Sequence, residues 1–427
     1  MQDTSAYQDA LKDYYGPGIV ELLPKKVKLL NRFEEKDAKD FGGAGVVFPI
    51  HVGRNSGSAW GTEGGAIAGA GKQQYATVRI PMKYGYTRIT CSAQVMELSQ
   101  SSKGAFAPAW EQETKGAIND LANQRGRVVF GDGRGVLALI NGAASSTTQT
   151  LDSPGGVAGA LNGSRFINVG DIVSCINPAT GALRASNTTT VTAVPAAGTT
   201  ITISPTISTT DNDYLVKAAN TGVTDASDTS INKEPMGILG LNDDGTYVPT
   251  LNNVNRTTYP LFASYVISNA NAWSADLIQR GIDVADQRGA GSISSLWMHH
   301  SARRAYLASM EDSRRYIGGD LTNPDGGTKA AKMGTLAFGS IPVEEDKYCQ
   351  YGMVHAIDES GLERYVLKSG EWISEGGNIM FLVGTGSTLT HTYEAVYTIW
   401  DNFHISNPNA NFRLDGLSVN AVVVHVD

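Results

Sequence analysis

Charge is sparse in this chain of 427 residues: Asp, Glu, Lys and Arg make up 18% of it, against roughly 25% in an average soluble domain. Its 34 basic and 42 acidic residues leave a formal net charge of −8. That balance argues against nucleic-acid binding by bulk attraction and leaves only a local basic face for it. Cysteine is scarcer, with Cys91, Cys175 and Cys349 as the whole set. An odd and scattered trio gives no disulfide framework and no metal-ligand spacing, and suits a chain that matures in a reducing compartment. No run approaches the ~18 apolar residues of a membrane span, and the opening MQDTSAYQDALKDYY has no apolar signal-peptide core. Disorder is excluded by the 41% of hydrophobic residues, which suffice for a large core. At roughly 150 residues per domain the length allows two or three.

Glycine is what the chain has in excess, at 48 residues, well above the average of ~7%. Its distribution is uneven. Val46, Val47, Phe48, Ile50 and Val52 predict a strand, and YATVRIPMKYGYTRIT (75–90) predicts a longer β run. Between them, seven of the nineteen residues from Gly53 to Gly71 are glycine, so this tip has few side chains to pack and a high entropic cost of order. The pattern is a two-stranded arm with a pliable end, and an isolated hairpin of that kind needs a partner surface. Before it, GIVELLPKKVKLL (18–30) repeats apolar residues at helical spacing but is interrupted by Pro24. We read it as an extended arm lying on another surface.

Phe106–Phe130 is the clearest helix, with Pro108 near its start and GDGRG (131–135) as its stop. Trp110, Ala117, Ile118, Leu121, Ala122, Val128 and Val129 trace one side. From about Thr150 to Ile231 charge nearly vanishes, and the stretches RFINVGDIVSCI, VTAV, TITIS and DYLVKA predict a small β-barrel or sandwich set into a larger domain. Beyond Asn232 the chain is mixed. GILGLNDDGTYVP carries a hairpin signal at Asp244-Gly245. Ser274 caps a helix running to Arg288 with Gly289 as stop, Ser292–Trp297 reads as a strand, and His300–Met310 as a second helix. LAFGSIPVEED, MVHAID, ERYVLK, NIMFLV, TYEAVYTIW and SVNAVVVHV then read as strands.

The patterns that look chemical fail on spacing. Gly131–Gly135 ends a helix instead of preceding one and lacks a following Lys-Ser or Lys-Thr, so it offers no phosphate cradle. Gly384–Thr388 (GTGST) reads as a turn between strands. His299 and His300 are adjacent, point about 100° apart on a helix, and form no HExxH pair. His51, His355, His391, His404 and His425 read as packing or surface residues. GRNSG puts Asn55, not serine, at the centre of the only elbow-like string. Cys349 has no histidine nearby in sequence and reads as an inert thiol. No catalytic, cofactor or metal site is expected. Arg303 and Arg304, with Arg314 and Arg315, form two basic doublets separated by Glu311 and Asp312, which fits intersubunit pairing better than a nucleic-acid stripe.

The order of elements (a short arm, a Gly-tipped β-arm, a long helix, then a mixed domain closing on strands) resembles the major capsid protein of tailed bacteriophages, with its Hong Kong 97-like α+β fold. HVGRNSGSAWGTEGGAIAGAGKQQYATVRIPMKYGYTRIT is similar to that family's extended loop. VVFGDGRGVLALING is similar to the end of its spine helix. EPMGILGL, LWMHHSARRAY, EDSRRYIGG and GTLAFGSIPVEEDKY are similar to stretches of its later domains. The resemblance implies an N-terminal arm (1–43), an extended β loop (44–92), a peripheral domain with the spine helix (93–149), an inserted β domain (150–232), an axial domain (233–372) and returning C-terminal strands (373–427). It implies a non-enzymatic virion protein, assembled in the bacterial host cytoplasm, whose main partner is itself in hexamers and pentamers. A portal and a separate scaffold protein are implied as partners, since the loop pattern begins only some forty residues from Met1. It leaves room for a decoration (cement) protein, and packaged DNA would meet the inner face without sequence specificity. No membrane is involved. Arg54, Glu63, Lys72 and Arg79 are then candidate intersubunit charges, and Trp60 a candidate anchor. No motif marks the covalent crosslinking of some relatives. An encapsulin-like compartment shell shares the fold and is the alternative, against which the β insertion and the length speak.

Overall fold

The computed structural model describes residues 27–37, 45–67, 69–95, 109–157, 162–196, 198–268, 270–289, 291–311, 337–374, 379–385 and 388–419. The expected arm before residue 27, the Arg314–Arg315 doublet and most of the expected last strand lie outside these. The chain divides into two compact units, one of 1–25, 86–123 and 370–399, the other of 26–85, 124–369 and 400–427.

In the larger unit the chain enters through strand β1 (Glu34–Asp37) and then makes the arm from β2 (Gly45–Gly53) and β3 (Gln74–Pro81). These two pair antiparallel from Gly45–Pro81 to Gly53–Gln74, as their β-branched and aromatic content favours. The single β run expected over 75–90 is two strands, broken at Met82, with β4 (Lys83–Ser92) following. Helix α1 is Ala109–Val129, and its 21 residues make a rod of about 32 Å. Of its expected apolar side, Leu121, Val128 and Val129 are buried, whereas Ile118 is exposed.

Six strands then close a barrel: β5 (Val136–Ile140), β6 (Ala144–Asp152), β7 (Ile172–Ile176), β8 (Leu183–Ala193), β9 (Thr200–Thr209) and β10 (Tyr214–Lys217), in the order β10-β5-β6-β9-β8-β7. Its core holds Ile201 and Ile203, two residues apart as period-2 patterning requires, with Leu137, Ile140, Leu151, Val173, Val191 and Leu215. The barrel recruits β5 and β6, which precede the compositional shift at 150. RFINVGDIVSCI is a strand only in its last five residues, because the backbone turns at Arg165 and Ile167, whose N–H groups donate to Asn162 and Ser164 carbonyls.

Past the barrel come a single helical turn (Ile238–Leu241), a short pair β11 (Thr250–Leu251) and β12 (Val254–Asn255), strand β13 (Tyr265–Ile267) and helix α2 (Ala275–Arg288). Ser274 Oγ accepts from Asp276 N at 3.2 Å at the start of α2, the N-cap its sequence predicts. Strand β14 (Ser295–Met298), helix α3 (His300–Glu311) and strands β15 (Ala337–Phe338), β16 (Ile341–Glu345), β17 (Val354–Ile357), β18 (Leu362–Trp372), β19 (Phe381–Thr385), β20 (Thr388–Ile405) and β21 (Phe412–Leu414) complete the chain. A mixed six-stranded sheet runs β13-β21-β17-β14-β16-β15. Its central strand β14 is buried at every residue, so both faces are covered. Leu296 and Met298 face the core shared with Ile278 and Ala285 of α2 and Ala302 and Tyr306 of α3. Trp297, between them, points the other way into the largest core, with Phe130, Ile357 and Phe403.

In the smaller unit β19 pairs antiparallel with β20. Arg88 of β4 lies 2.5 Å from Glu394 of β20, and Trp372 meets Tyr397 edge-on at 5.2 Å.

Candidate functional site

The arm is anchored at its root and bare at its tip. Val46, Val78 and Ile80 are buried in the largest core, and Phe48, Ile50 and Ala76 pack against it. Phe48 meets the His404 ring edge-on at 5.5 Å, and Arg79 N donates to Asn252 O at 2.9 Å. Beyond Val52 burial ceases. Trp60 is 104% exposed and Ile67 95%, a large apolar surface to leave in water. The neck of the tip is pinched by local bonds: His51 Nε2 is 2.7 Å from Gln73 Oε1, and Asn55 Oδ1 accepts from Gly57 N at 2.7 Å. A Cβ at Gly71 would stand 2.1 Å from that Asn55 oxygen, so glycine is required where the two limbs of the tip cross.

Arg54, Glu63, Lys72 and Arg79 are all exposed and form no ion pair among the described residues. They surround Trp60 in sequence as an unspent set of both signs. Arg303 is different: it pairs within the chain to Glu345 at 3.1 Å, a carboxylate that His300 also approaches at 3.2 Å. Arg304 on the next position of α3 is exposed.

Two places have the chemical density of an active site, and their geometry is structural. Asp243 is fully buried; its Oδ2 accepts from the N–H groups of Gly245, Tyr247 and Val248 at 3.0, 3.0 and 2.9 Å and from Arg256 Nη1 at 3.3 Å. This collection of N–H groups shapes a loop, so the hairpin expected at Asp244-Gly245 does not form, and GILGL before it makes a helical turn. Arg413 closes the cluster, with Asp243 on one side and Asp415 Oδ1 at 2.7 Å on the other. Burial pushes Arg256 down to about 10. In Arg413 burial acts in the same sense, but Asp415 and Asp243 outweigh it and its pKa is raised. Every donor is directed at a partner and none at open space, the condition under which buried ions hold a loop in place. No sequence motif joins these residues, because Asp243 and Arg413 stand 170 positions apart.

The second place is the histidine pair. His299 is pushed down to about 3, first by burial and then by Arg165 and His300, and its Nδ1 lies 2.8 Å from Ser301 Oγ. Among the described residues no group of three or more His, Cys, Asp or Glu comes together to hold a metal. All three thiols are buried; Cys175 is pushed up to about 12 and Cys349 is raised as well, both first by burial, which leaves them protonated and unreactive. The GDGRG turn is closed by Asp132, whose Oδ1 accepts from Arg134 N at 3.0 Å, with Gly133 and Gly135 both at φ +78°.

No known family profile matches the sequence, and no characterised protein sequence does. Solved structures do match. The capsid asymmetric unit of cyanophage A-1(L) is similar over 97% of this chain and 99% of that one, with a TM-score of 0.57 at 9% identity. The chain therefore has the fold of tailed-phage major capsid proteins, in the α+β form known as Hong Kong 97-like. The capsid of a native GTA particle matches over 96% of both chains with a TM-score of 0.49 at 10% identity. The SrpI encapsulin of Synechococcus elongatus PCC 7942 matches over 99% of this chain and 97% of that one, at 0.45 and 6%. No described helix is long and apolar enough to cross a membrane.

Proposed function

We propose that this chain is the major capsid protein of a tailed phage, a non-enzymatic subunit that assembles into the hexamers and pentamers of an icosahedral shell around double-stranded DNA. The observation that carries the reading is the end-to-end match to a cyanophage capsid subunit, 97% of one chain on 99% of the other. The arm supports it independently. A root fixed in the core and a tip exposing Trp60 and Ile67 make sense when a second copy covers that tip. A closed shell also needs contacts that tolerate slightly different angles, which a Gly-rich tip supplies. On this reading 1–43 is an N-terminal arm, 44–92 the extended loop, 93–149 peripheral, 150–232 an insertion, 233–372 axial and 373–427 the returning strands. Trp60, Arg54, Glu63, Lys72 and Arg79 contact a neighbouring subunit, as do the two arginine doublets. A portal and a separate scaffold guide assembly in the host cytoplasm, and the net charge of −8 keeps packaged DNA from adhering to the wall.

Negative-stain electron microscopy of the purified chain, with its sedimentation profile, tests this. Closed shells tens of nanometres across, or free pentamers and hexamers, are expected. A discrete monomer or dimer that never assembles, even with a co-expressed scaffold, would overturn it. Shells that purify with an enzyme as cargo would point instead to a compartment of the encapsulin type.

A further inference from the structure

Two asparagines of the chain precede glycine, Asn141 before Gly142 and Asn162 before Gly163, and the fold treats them in opposite ways. An Asn-Gly step is chemically labile because the glycine amide has no side chain in front of it to hinder attack on the asparagine carboxamide. Asn162 is 4% exposed, and its carboxamide oxygen accepts from Ser164 Oγ at 3.4 Å. A Cβ at Gly163 would stand 2.4 Å from the Leu151 carbonyl carbon, and one at Gly198 would stand 1.8 Å from the Asn162 oxygen. That step has no room to rearrange. Asn141, by contrast, is exposed in the turn that joins β5 to β6, and its carboxamide makes no hydrogen bond among the described residues. Gly142 is exposed too, at φ +90°, with nothing among the described residues within 4 Å of where a Cβ would stand.

The nucleophile of that open step is nevertheless restrained. Gly142 N–H donates to Asp211 Oδ1 at 2.8 Å. Asp211 is fixed opposite it: its other oxygen accepts from Asn212 Nδ2 at 2.8 Å, Asn212 N donates to Ile140 O at 2.8 Å, and Ile140 N donates to Asp213 O at 3.0 Å. An N–H tied to a carboxylate has to be released before its nitrogen can attack, and the negative charge opposes the loss of its proton. We propose that Asn141 is a site of spontaneous deamidation, restrained in the folded chain by Asp211. In the reaction the Gly142 nitrogen gives its proton to solvent base and bonds to Asn141 Cγ. The Cγ–Nδ2 bond breaks, ammonia leaves with a proton from solvent, and a five-membered imide remains. Water then opens the imide at either carbonyl, giving aspartate or isoaspartate, and nothing is oxidised or reduced. Both products load the turn. Aspartate adds a negative charge close to Asp211. Isoaspartate lengthens the main chain by one carbon in the residue whose N–H donates to Thr150 O at 2.9 Å. The chemistry belongs to this turn alone and does not depend on whether the chain forms shells.

The test is mass-spectrometric peptide mapping of the purified full chain after incubation at mildly alkaline pH, with isoaspartate counted by an isoaspartyl methyltransferase. In urea both Asn-Gly steps are unfolded and react at comparable rates. In the native chain Asn162 is expected to stay intact. Asn141 is expected to react there about tenfold more slowly than in urea, the factor for one hydrogen bond to a charged group. Asp211→Ala frees the Gly142 N–H, so Asn141 in that native variant should recover most of the tenfold. Asn162 stays intact in the same sample, which shows that the variant barrel is closed. A native wild-type Asn141 that reacts at its urea rate would overturn the proposal, because nothing would then restrain it. An Asn141 rate unchanged by Asp211→Ala would overturn it too, because the carboxylate would then play no part.

Discussion

Arg413 Nη2 lies 3.1 Å from Asp243 Oδ1, and neither side chain meets solvent. The other oxygen of that carboxylate collects three backbone N–H groups and Arg256, so one aspartate both shapes a loop and neutralises part of a buried arginine pair. Asp243→Ala strands these donors together. The expected loss is about 3–5 kcal/mol of unfolding free energy, the range for breaking a buried ion pair from one side. Asp243→Asn, which keeps an acceptor and drops the charge, should lose less. Urea unfolding of the purified chain measures both, and a loss under about 1 kcal/mol for the alanine variant would contradict the structural role.

Helix α1 holds two glycines with opposite expectations. A Cβ at Gly116 meets nothing within 4 Å among the described residues, so Gly116→Ala should stabilise by about 0.5–1 kcal/mol through helix propensity. A Cβ at Gly126 would lie 2.2 Å from the Tyr348 ring. Gly126→Ala should therefore destabilise by about 1–3 kcal/mol despite the same propensity gain. Thermal unfolding of the two variants side by side reads the sign, and a gain at both positions would show that Tyr348 does not rest on the helix.

The contrast between α2 and the Asp243 loop explains what the sequence could reveal. Ser274, the apolar spacing of Ile278 and Ala285, and Gly289 all act within sixteen residues, so cap, face and stop are readable in order. The arm is readable for the same reason, since alternation in β2 and β3 and the glycine tip are local. The Asp243 cluster is not, because its arginines arrive from far along the chain and nothing near Asp243 announces them. Asp244-Gly245 gives a hairpin signal in isolation, and only the burial of Asp243 decides against it. The turn at Arg165 was hidden likewise, inside a string with β composition, and is set by backbone bonds from Arg165 to Asn162 and from Ser164 to Gly198. The one hint was a charged residue in a segment otherwise nearly free of charge.

Three histidines make stability fall with acid. His299 and His355 are pushed down to about 3 and His404 to about 4, each first by burial. Arg165, His300 and Arg304 add to this for His299, Arg413 for His355 and Lys36 for His404, where Glu363 opposes. In the unfolded chain each takes up a proton near its ordinary pKa of 6.5. Their contribution is whole above that pH and declines as pH falls from about 6.5 toward 4, by up to about 1.4 kcal/mol per unit for each group. Melting temperatures at pH 7.5 and 5 should differ accordingly, and His355→Gln should flatten the slope. A melting temperature unchanged over that interval would mean that these rings are not held neutral.

Trp60 and Ile80 belong to one arm and should separate folding from assembly. Ile80 is 0% exposed and Trp60 104%. Removing the Ile80 side chain leaves a cavity at the root, so Ile80→Ala should cost about 2–5 kcal/mol in the unassembled subunit. Trp60 touches too little of its own chain to matter there, and Trp60→Ala should leave subunit stability within about 0.5 kcal/mol. If a second copy covers the tip, the loss appears in association instead: an anchoring tryptophan is commonly worth 2 kcal/mol or more at an interface, about a thirtyfold rise in the concentration needed to assemble. Sedimentation of each variant across a concentration series decides the matter. A Trp60→Ala protein that assembles at the wild-type concentration would remove the tip from the contact and leave the shell to be built by other faces.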